Sequence, residues 1–195
     1  MRHPLVIDFE TQKTFREAPD PKDLLISVAG VYDYATDEYS IYEEHQLQEM
    51  IALFEHASII IGFNHIHFDM PVLQPYYPGD VMQFKLFDIL VDVKEILGRR
   101  LRLDDLVQAT LGEGKSGHGL QAITFFREGR MDELKKYCLD DVRLTKELFD
   151  YGVQNGKIYY PDPFGSSDKR AINVKWEQYL NYRPTHDNVS LTLPF

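Results

Sequence analysis

Two acidic residues stand one position apart in the apolar segment VIDFET, which runs from Val6 to Thr11. The segment is typical of a β-strand, and residues i and i+2 of a strand share a face. Asp8 and Glu10 therefore point to the same side, where two like charges repel unless a cation lies between them. Taken alone, the segment is explained more simply by a strand whose last acids lie in water.

A third acid, Asp69, lies in the segment NHIHFDMPVL, directly after the short apolar segment SIIIGFN. Asp69 therefore stands where a helix starts from the C-terminal end of a predicted central strand. Open α/β sheets bind their ligands at that end of the strands. Helix capping is the ordinary alternative for an isolated Asp at this place.

Tyr137 and Asp141 lie four residues apart in YCLDDV, within a helix that is predicted over residues 131–154. Residues at this spacing lie on one face of a helix, one turn apart. Asp140 points about a hundred degrees away and is expected to be exposed. The buried stripe of the helix consists of apolar residues at helical spacing: Leu134, Cys138, Leu144 and Leu148. For the pair alone, a half-buried Tyr above a surface Asp is the default interpretation.

The acids of the three motifs can converge on one edge of the sheet: Asp8, Glu10, Asp69 and Asp141. Four carboxylates close together in a folded interior cost several kcal/mol unless cations neutralise them. Oxygen ligands in this number favour hard ions, Mg²⁺ or Mn²⁺. Two such ions about 4 Å apart hold the attacking water and the leaving oxygen of a displacement at phosphorus. The pattern therefore predicts metal-dependent phosphodiester chemistry.

In order and spacing, VIDFET, NHIHFDMPVL and YCLDDVRLT resemble the three exonuclease motifs of the DEDD superfamily of 3′–5′ exonucleases. The similarity covers roughly residues 4–150 and is to the tyrosine-bearing branch, as in the proofreading exonuclease domain of family B DNA polymerases. The histidine-bearing branch would place a His one residue before Tyr137, where this chain has Lys136.

This resemblance implies a ribonuclease H-like fold in which Asp8, Glu10, Asp69 and Asp141 hold two ions. Asp8 would bridge both ions, and Tyr137 would orient the attacking water. Substrate contacts would come from residues that flank the acids: Phe9, Thr11, Asn64 and Phe68. Core packing is the alternative for the two Phe residues. Three histidines have no role in the family pattern and are interpreted as loop or cleft residues: His65, His67 and His118.

The elements that must position these residues follow the order of an α/β domain with a mixed central sheet, antiparallel N-terminal strands and flanking helices. Strands are predicted at residues 4–10, 24–36, 38–44 and 58–64, and a strand followed by a helix at 84–98. Further helices are predicted at residues 44–57, 68–77, 102–112 and 131–154. We expect a catalytic domain over residues 1–155 and a C-terminal extension, 156–195, packed on the domain or on a neighbouring chain.

Composition excludes several other classes of protein. The chain has 195 residues, enough for one domain with a sizeable core. A single cysteine, Cys138, excludes a disulfide framework and a Cys-based zinc site, and fits a reducing compartment. No apolar run is long enough to span a bilayer. We therefore expect a soluble, cytoplasmic protein that does not bind membranes.

The formal net charge of −10 argues against a broad basic surface that binds nucleic acid. It predicts weak binding of nucleic acid that depends strongly on salt. Local basic clusters are interpreted as solvated faces: Arg99, Arg100 and Arg102; Lys115; Lys169 and Arg170. Binding would then depend on stacked terminal bases and on the metal ions. This leaves room for a protein partner that supplies affinity.

The prediction is a metal-dependent 3′–5′ exonuclease that releases nucleoside 5′-monophosphates from single-stranded 3′ ends, with DNA favoured over RNA. One alternative is an exoribonuclease that trims RNA 3′ ends. Another is a catalytically silent ribonuclease H-like module that binds nucleic acid.

Overall fold

The sheet at the centre of the molecule has five strands in the order β3-β2-β1-β4-β5. Strands β6 and β7 form a separate two-stranded sheet. These elements come from a computed structural model that describes residues 2–114, 119–162 and 168–180. The strands are β1 (Pro4–Thr11), β2 (Ile26–Asp33), β3 (Glu38–Glu43), β4 (Ile59–Gly62), β5 (Leu86–Asp88), β6 (Lys157–Pro161) and β7 (Lys169–Asn173).

Helices flank the sheet and connect its strands. They are α1 (Leu47–His56), α2 (Asp69–Leu73), α3 (Ile89–Leu97), α4 (Leu103–Leu111), α5 (Gly119–Arg127), α6 (Met131–Asn155) and α7 (Glu177–Leu180). Among the described residues, none of these helices combines the length and apolar character that crossing a membrane requires. The predicted mixed sheet with antiparallel N-terminal strands and flanking helices is confirmed.

Strand β1 lies in the middle of the sheet, with a paired strand on each edge and apolar clusters on both faces. It pairs antiparallel with β2 and parallel with β4. Leu5, Ile7 and Phe9 belong to the apolar cluster that contains α1 and α2, whereas Val6 belongs to the cluster that contains α4 and α6. Since side chains alternate along a strand, Asp8 and Glu10 point to the side of α6.

The segment that follows α6 contributes to the second of these clusters. Trp176 is 1% exposed, stacks on Phe149 of α6 with ring centroids 5.7 Å apart, and donates its indole N–H to Asp92 of α3 at 2.8 Å. The hairpin β6-β7 packs beside α4 and α6. Residues 157–162 and 168–180 therefore contribute to the core on this face of the sheet.

Two local differences separate the predicted from the observed elements. The sequence pattern left residues 119–130 unassigned, and the structure has α5 there, ending in a turn at Gly129 with φ of +69°. Strand β2 begins at Ile26 rather than at residue 24, because Leu25 adopts a positive φ of 59° that ends the extended run. Two residues of the predicted Gly-rich loop, Lys115 and His118, lie outside the described residues.

Candidate metal centre

Three carboxylates from two elements meet at one edge of the sheet. Asp8 and Glu10 of β1 and Asp141 of α6 each offer an oxygen, and these oxygens all lie within 4.8 Å of one another. Glu10 and Asp141 are buried, and Asp8 is partly exposed. Like charges this close, away from bulk water, are stabilised when a cation neutralises them. Because every ligand is a carboxylate oxygen, the cluster suits a hard divalent ion such as Mg²⁺ or Mn²⁺.

The close approach of α6 to the sheet depends on Gly30. This residue lies directly opposite Asp8 in the β1–β2 register. A Cβ atom at this position would lie 2.7 Å from Val142 Cγ2 and 3.0 Å from Cys138 Sγ. The missing side chain therefore lets α6 pack directly on the strand pair and brings Asp141 within reach of Asp8.

Asp69 lies on the same cavity as the three-carboxylate cluster but outside the cluster itself. It is the first residue of α2, is 3% exposed, and its Oδ1 accepts a hydrogen bond from the backbone N–H of Phe9 at 2.8 Å. Burial raises the pKa of Asp69 to about 7; the N–H of Phe9 opposes this shift, and the charge of Asp88 adds to it. The structure thus brings Asp69 to the cavity beside the cluster, where a hydrogen bond joins it to the β1 backbone.

Asp88 organises the loop that leads to Asp69, and the sequence reasoning did not identify it. Its buried carboxylate accepts backbone N–H groups from Asn64 at 2.8 Å and Ile66 at 3.0 Å, and it caps α3 by accepting from Leu90 and Val91. An Asp between an apolar strand and a helix is a helix-cap signal, which would have found this residue.

His65 belongs to the same loop, between β4 and α2, and its side chain is buried beneath it. It is fully buried, with Nδ1 3.5 Å from Asp88 Oδ2, and its ring fills the space that a side chain at Gly62 would need. Burial raises the pKa of Asp88, but nearby His65 and the N–H groups of Ile66 and Asn64 outweigh it, so the net shift is downward. The net effect favours the ionised carboxylate in the folded state.

Tyr137 is buried within α6, one turn from Asp141. Its ring is 5% exposed and belongs to an apolar cluster that also contains Ala122 and Phe125 of α5. Tyr137 is not among the described residues that line the cavity beside the carboxylates. The structure therefore places it next to the cluster along the helix but packed against α5.

The cavity beside the carboxylates combines apolar and cationic side chains. Its volume is about 720 Å³, which lies within the usual range for small-ligand sites. Phe68 lines it and contacts Phe15, with ring centroids 5.8 Å apart, and Phe15 is 52% exposed. Lys13 and Arg16 lie on the same lining. An apolar wall beside cations and carboxylates suits a ligand that has both a flat apolar part and charged groups.

The other predicted substrate-contacting residues differ in accessibility. Phe9 lines the cavity but is 3% exposed and stacks on Phe54 of α1, so most of its ring is core. The Thr11 hydroxyl donates to the backbone carbonyl of Lys13 at 3.0 Å. Asn64 has a positive φ of 64°, and its side-chain oxygen accepts from Arg100 at 2.7 Å.

Comparisons with known proteins agree with this fold. The family model RNase_H_2, described as RNase_H superfamily, matches residues 5–153. The family B DNA polymerase of the hyperthermophilic archaeon Pyrobaculum calidifontis is structurally similar, with a TM-score of 0.60 and 17% identity over 78% of this chain. The match covers 25% of the polymerase, so this chain corresponds to about a quarter of its length. The comparison with curated proteins returned no match.

Replacing Asp88 by Asn is expected to destabilise the fold by about 2–4 kcal/mol at neutral pH. The new amide would point its N–H groups at the backbone N–H of Ile66, which donates to the carboxylate in the native chain, and at the nearby ring of His65. Urea unfolding measures the loss. Asp80→Asn is the matched control, because Asp80 caps a single exposed turn through Met82 N–H.

The pH dependence of this loss follows from the lowered pKa of Asp88. A carboxyl whose folded-state pKa is below its ordinary value of 3.8 contributes fully above that value and loses its contribution as the pH falls through the folded-state pKa. The difference between the native chain and Asp88→Asn should therefore shrink as the pH falls below 3.8. A difference that grows as the pH falls below 3.8 would contradict this assignment.

Divalent metal is expected to stabilise the native chain through the three-carboxylate cluster. At a Mn²⁺ concentration about 100 times Kd, the gain is about 2.7 kcal/mol, or roughly 5–10 °C in Tm. Asp141→Asn should lose this response while its metal-free Tm stays level or rises, because one repelling charge is gone. Asp140→Asn, one residue away and close to Arg143, should keep it. Equal responses of the two variants would exclude the cluster as the metal site.

Proposed function

The chain belongs to the RNase_H superfamily, and from this premise we propose that it is a metal-dependent 3′–5′ exonuclease of the tyrosine-bearing DEDD branch, acting on single-stranded DNA ends. The observation that carries the proposal is the three-carboxylate cluster of Asp8, Glu10 and Asp141. The cluster opens on a cavity that suits a nucleotide in size and lining.

The proposed reaction is hydrolysis of the terminal phosphodiester. The oxygen of a water forms a bond to phosphorus, the bond from phosphorus to the 3′ oxygen breaks, and a proton passes to that oxygen. Asp8, Glu10, Asp141 and the adjoining Asp69 would hold two divalent ions, Mg²⁺ or Mn²⁺. When bound, such ions supply Lewis-acid activation of water and neutralise the charge that develops at phosphorus.

The terminal base would lie against Phe68 and Phe15. Both rings face the cavity that contains the carboxylates, and Phe15 offers an accessible aromatic surface. Stacking of a base on an aromatic side chain contributes about 1–3 kcal/mol and does not depend on base identity. Stacking requires an unpaired terminal base, which supports single-stranded ends as the substrate.

Two further residues would position the reacting groups. Tyr137 would orient the attacking water, since it lies one helical turn from Asp141. An ordinary Tyr pKa near 10 makes positioning a better role for it than proton abstraction. Asn64 would help to form the substrate cleft through its contact with Arg100.

The decisive experiment is a gel time course with 5′-labelled single-stranded DNA and RNA of matched sequence, in Mn²⁺ and in Mg²⁺. The native chain should produce a ladder that shortens from the 3′ end, faster on DNA. Asp8→Asn should lower kcat/KM roughly 10³-fold or more, because a ligand of both ions is lost. Asp140→Asn is the control and should match the native chain. Intact bands in every metal would overturn the proposal, and a faster ladder on RNA would reverse its polymer preference.

Tyr137→Phe tests the assignment to the tyrosine-bearing branch. The variant keeps the ring that packs beside α5 and removes only the hydroxyl, so stability should be nearly unchanged. If the hydroxyl positions water, kcat should fall roughly 10- to 100-fold with little change in KM. Tyr151→Phe, at the far end of α6, is the matched control. A rate within about twofold of the native chain would leave Tyr137 as a packing residue only.

A further inference from the structure

A second cavity adjoins the carboxylate cluster on the side of α3 and α4. Its volume is about 450 Å³, and Asp8 and Phe63 line both it and the aromatic cavity. Asn64 and Arg100 lie on its wall. A strand whose last nucleotide occupies the aromatic cavity therefore has a direct exit past Asp8 into this second space.

A third cavity adjoins the second along α3. Arg100 and Leu90 line both of them, and the third adds Lys94 and His67. Asp8, Arg100 and Lys94 thus line a succession of adjoining cavities, here called the groove, that leads away from the carboxylates. Arg100 and Lys94 are both exposed, so their charges are available to a ligand.

In the described part of the chain, no acid lies within ion-pair distance of Arg100 or Lys94. Arg100 donates a hydrogen bond to the neutral side-chain oxygen of Asn64, at 2.7 Å. The neighbouring Arg102, by contrast, pairs with Asp105 at 2.7 Å. Glu95 also lines the groove near Lys94. In a chain with a net charge of −10, a groove with free cations beside an acidic cluster favours an anionic ligand.

We propose that Arg100 and Lys94 bind successive phosphates of the substrate strand on the 5′ side of the scissile bond. This inference rests on the proposed exonuclease function. Arg is suited to phosphate because its planar guanidinium donates two hydrogen bonds at once, and the bond to Asn64 orients it toward the groove. Lys94 supplies a point charge one step further along the strand. The solvated-face interpretation of Arg100 is thereby replaced by a binding role.

Binding of a fluorescent single-stranded oligodeoxynucleotide in Ca²⁺, measured by anisotropy over a range of salt concentrations, tests the groove without requiring turnover. Arg100→Gln should weaken binding roughly 5- to 10-fold. A plot of log K against log salt has a negative slope, and Arg100→Gln and Lys94→Gln should each make this slope shallower by about 0.7. Arg99→Gln is the matched control: it removes the same charge from the same segment, but Arg99 lies over the ring of Tyr160. It should behave like the native chain.

Hydrolysis of thymidine 5′-p-nitrophenyl phosphate separates the groove from the metal centre. This ester has one phosphate and no strand on its 5′ side, so Lys94→Gln should hydrolyse it at the native rate. Arg100→Gln also loses the contact with Asn64, so it should lose much less activity on the ester than on the oligonucleotide. An equal loss on both substrates would place Arg100 at the metal centre and overturn the proposal. Binding and salt slopes equal to those of Arg99→Gln would also overturn it. If the native chain hydrolyses neither substrate, the exonuclease function fails, while the anisotropy data still decide whether the groove binds DNA.

Discussion

The mutual repulsion of carboxylates is the constraint around which this molecule is built. Three acidic oxygens lie within 4.8 Å of one another at the edge of the core, where water screens their charges poorly. Holding them there requires elements that cannot easily move apart. Two of the acids belong to β1, which has a paired strand on each side, and the third belongs to α6, which packs on the strand pair at Gly30. The paired strands and the packed helix hold the acids together against their repulsion, and a bound cation would reduce that repulsion.

Another buried carboxylate, that of Asp88, is stabilised by backbone hydrogen bonds. Asp88 accepts hydrogen bonds from N–H groups of the loop before α2 and of the first turn of α3. One buried charge therefore holds together the β4–α2 loop and the start of α3. That loop contains Asn64 and leads to Asp69, which in turn accepts from the β1 backbone. Asp69, β1 and β5 are thus linked through backbone groups.

Much of the fold and part of the site follow from local sequence patterns. The two-residue period predicted that Asp8 and Glu10 share a face, and helical spacing together with strand order predicted that Asp141 comes to them. Contacts between distant segments could not be read in this way. The burial of His65 depends on Gly62 and Asp88, and the packing of Tyr137 depends on a helix, α5, that the sequence analysis left unassigned. The hydrogen bond between Arg100 and Asn64 likewise depends on the loop that places Asn64 beside Arg100.

The position of Trp176 has a consequence for how the chain acquires its structure during synthesis. Helix α6 ends at Asn155, and the aromatic surface of Phe149 is covered by an indole that leaves the ribosome more than twenty residues of chain after Phe149 itself. Until then, one face of the longest helix remains exposed to water and to other nascent chains. Partly synthesised chains with exposed apolar surface are prone to association and are common clients of chaperones. The segment that contains Trp176 thus completes a core whose carboxylate cluster comes from earlier parts of the chain.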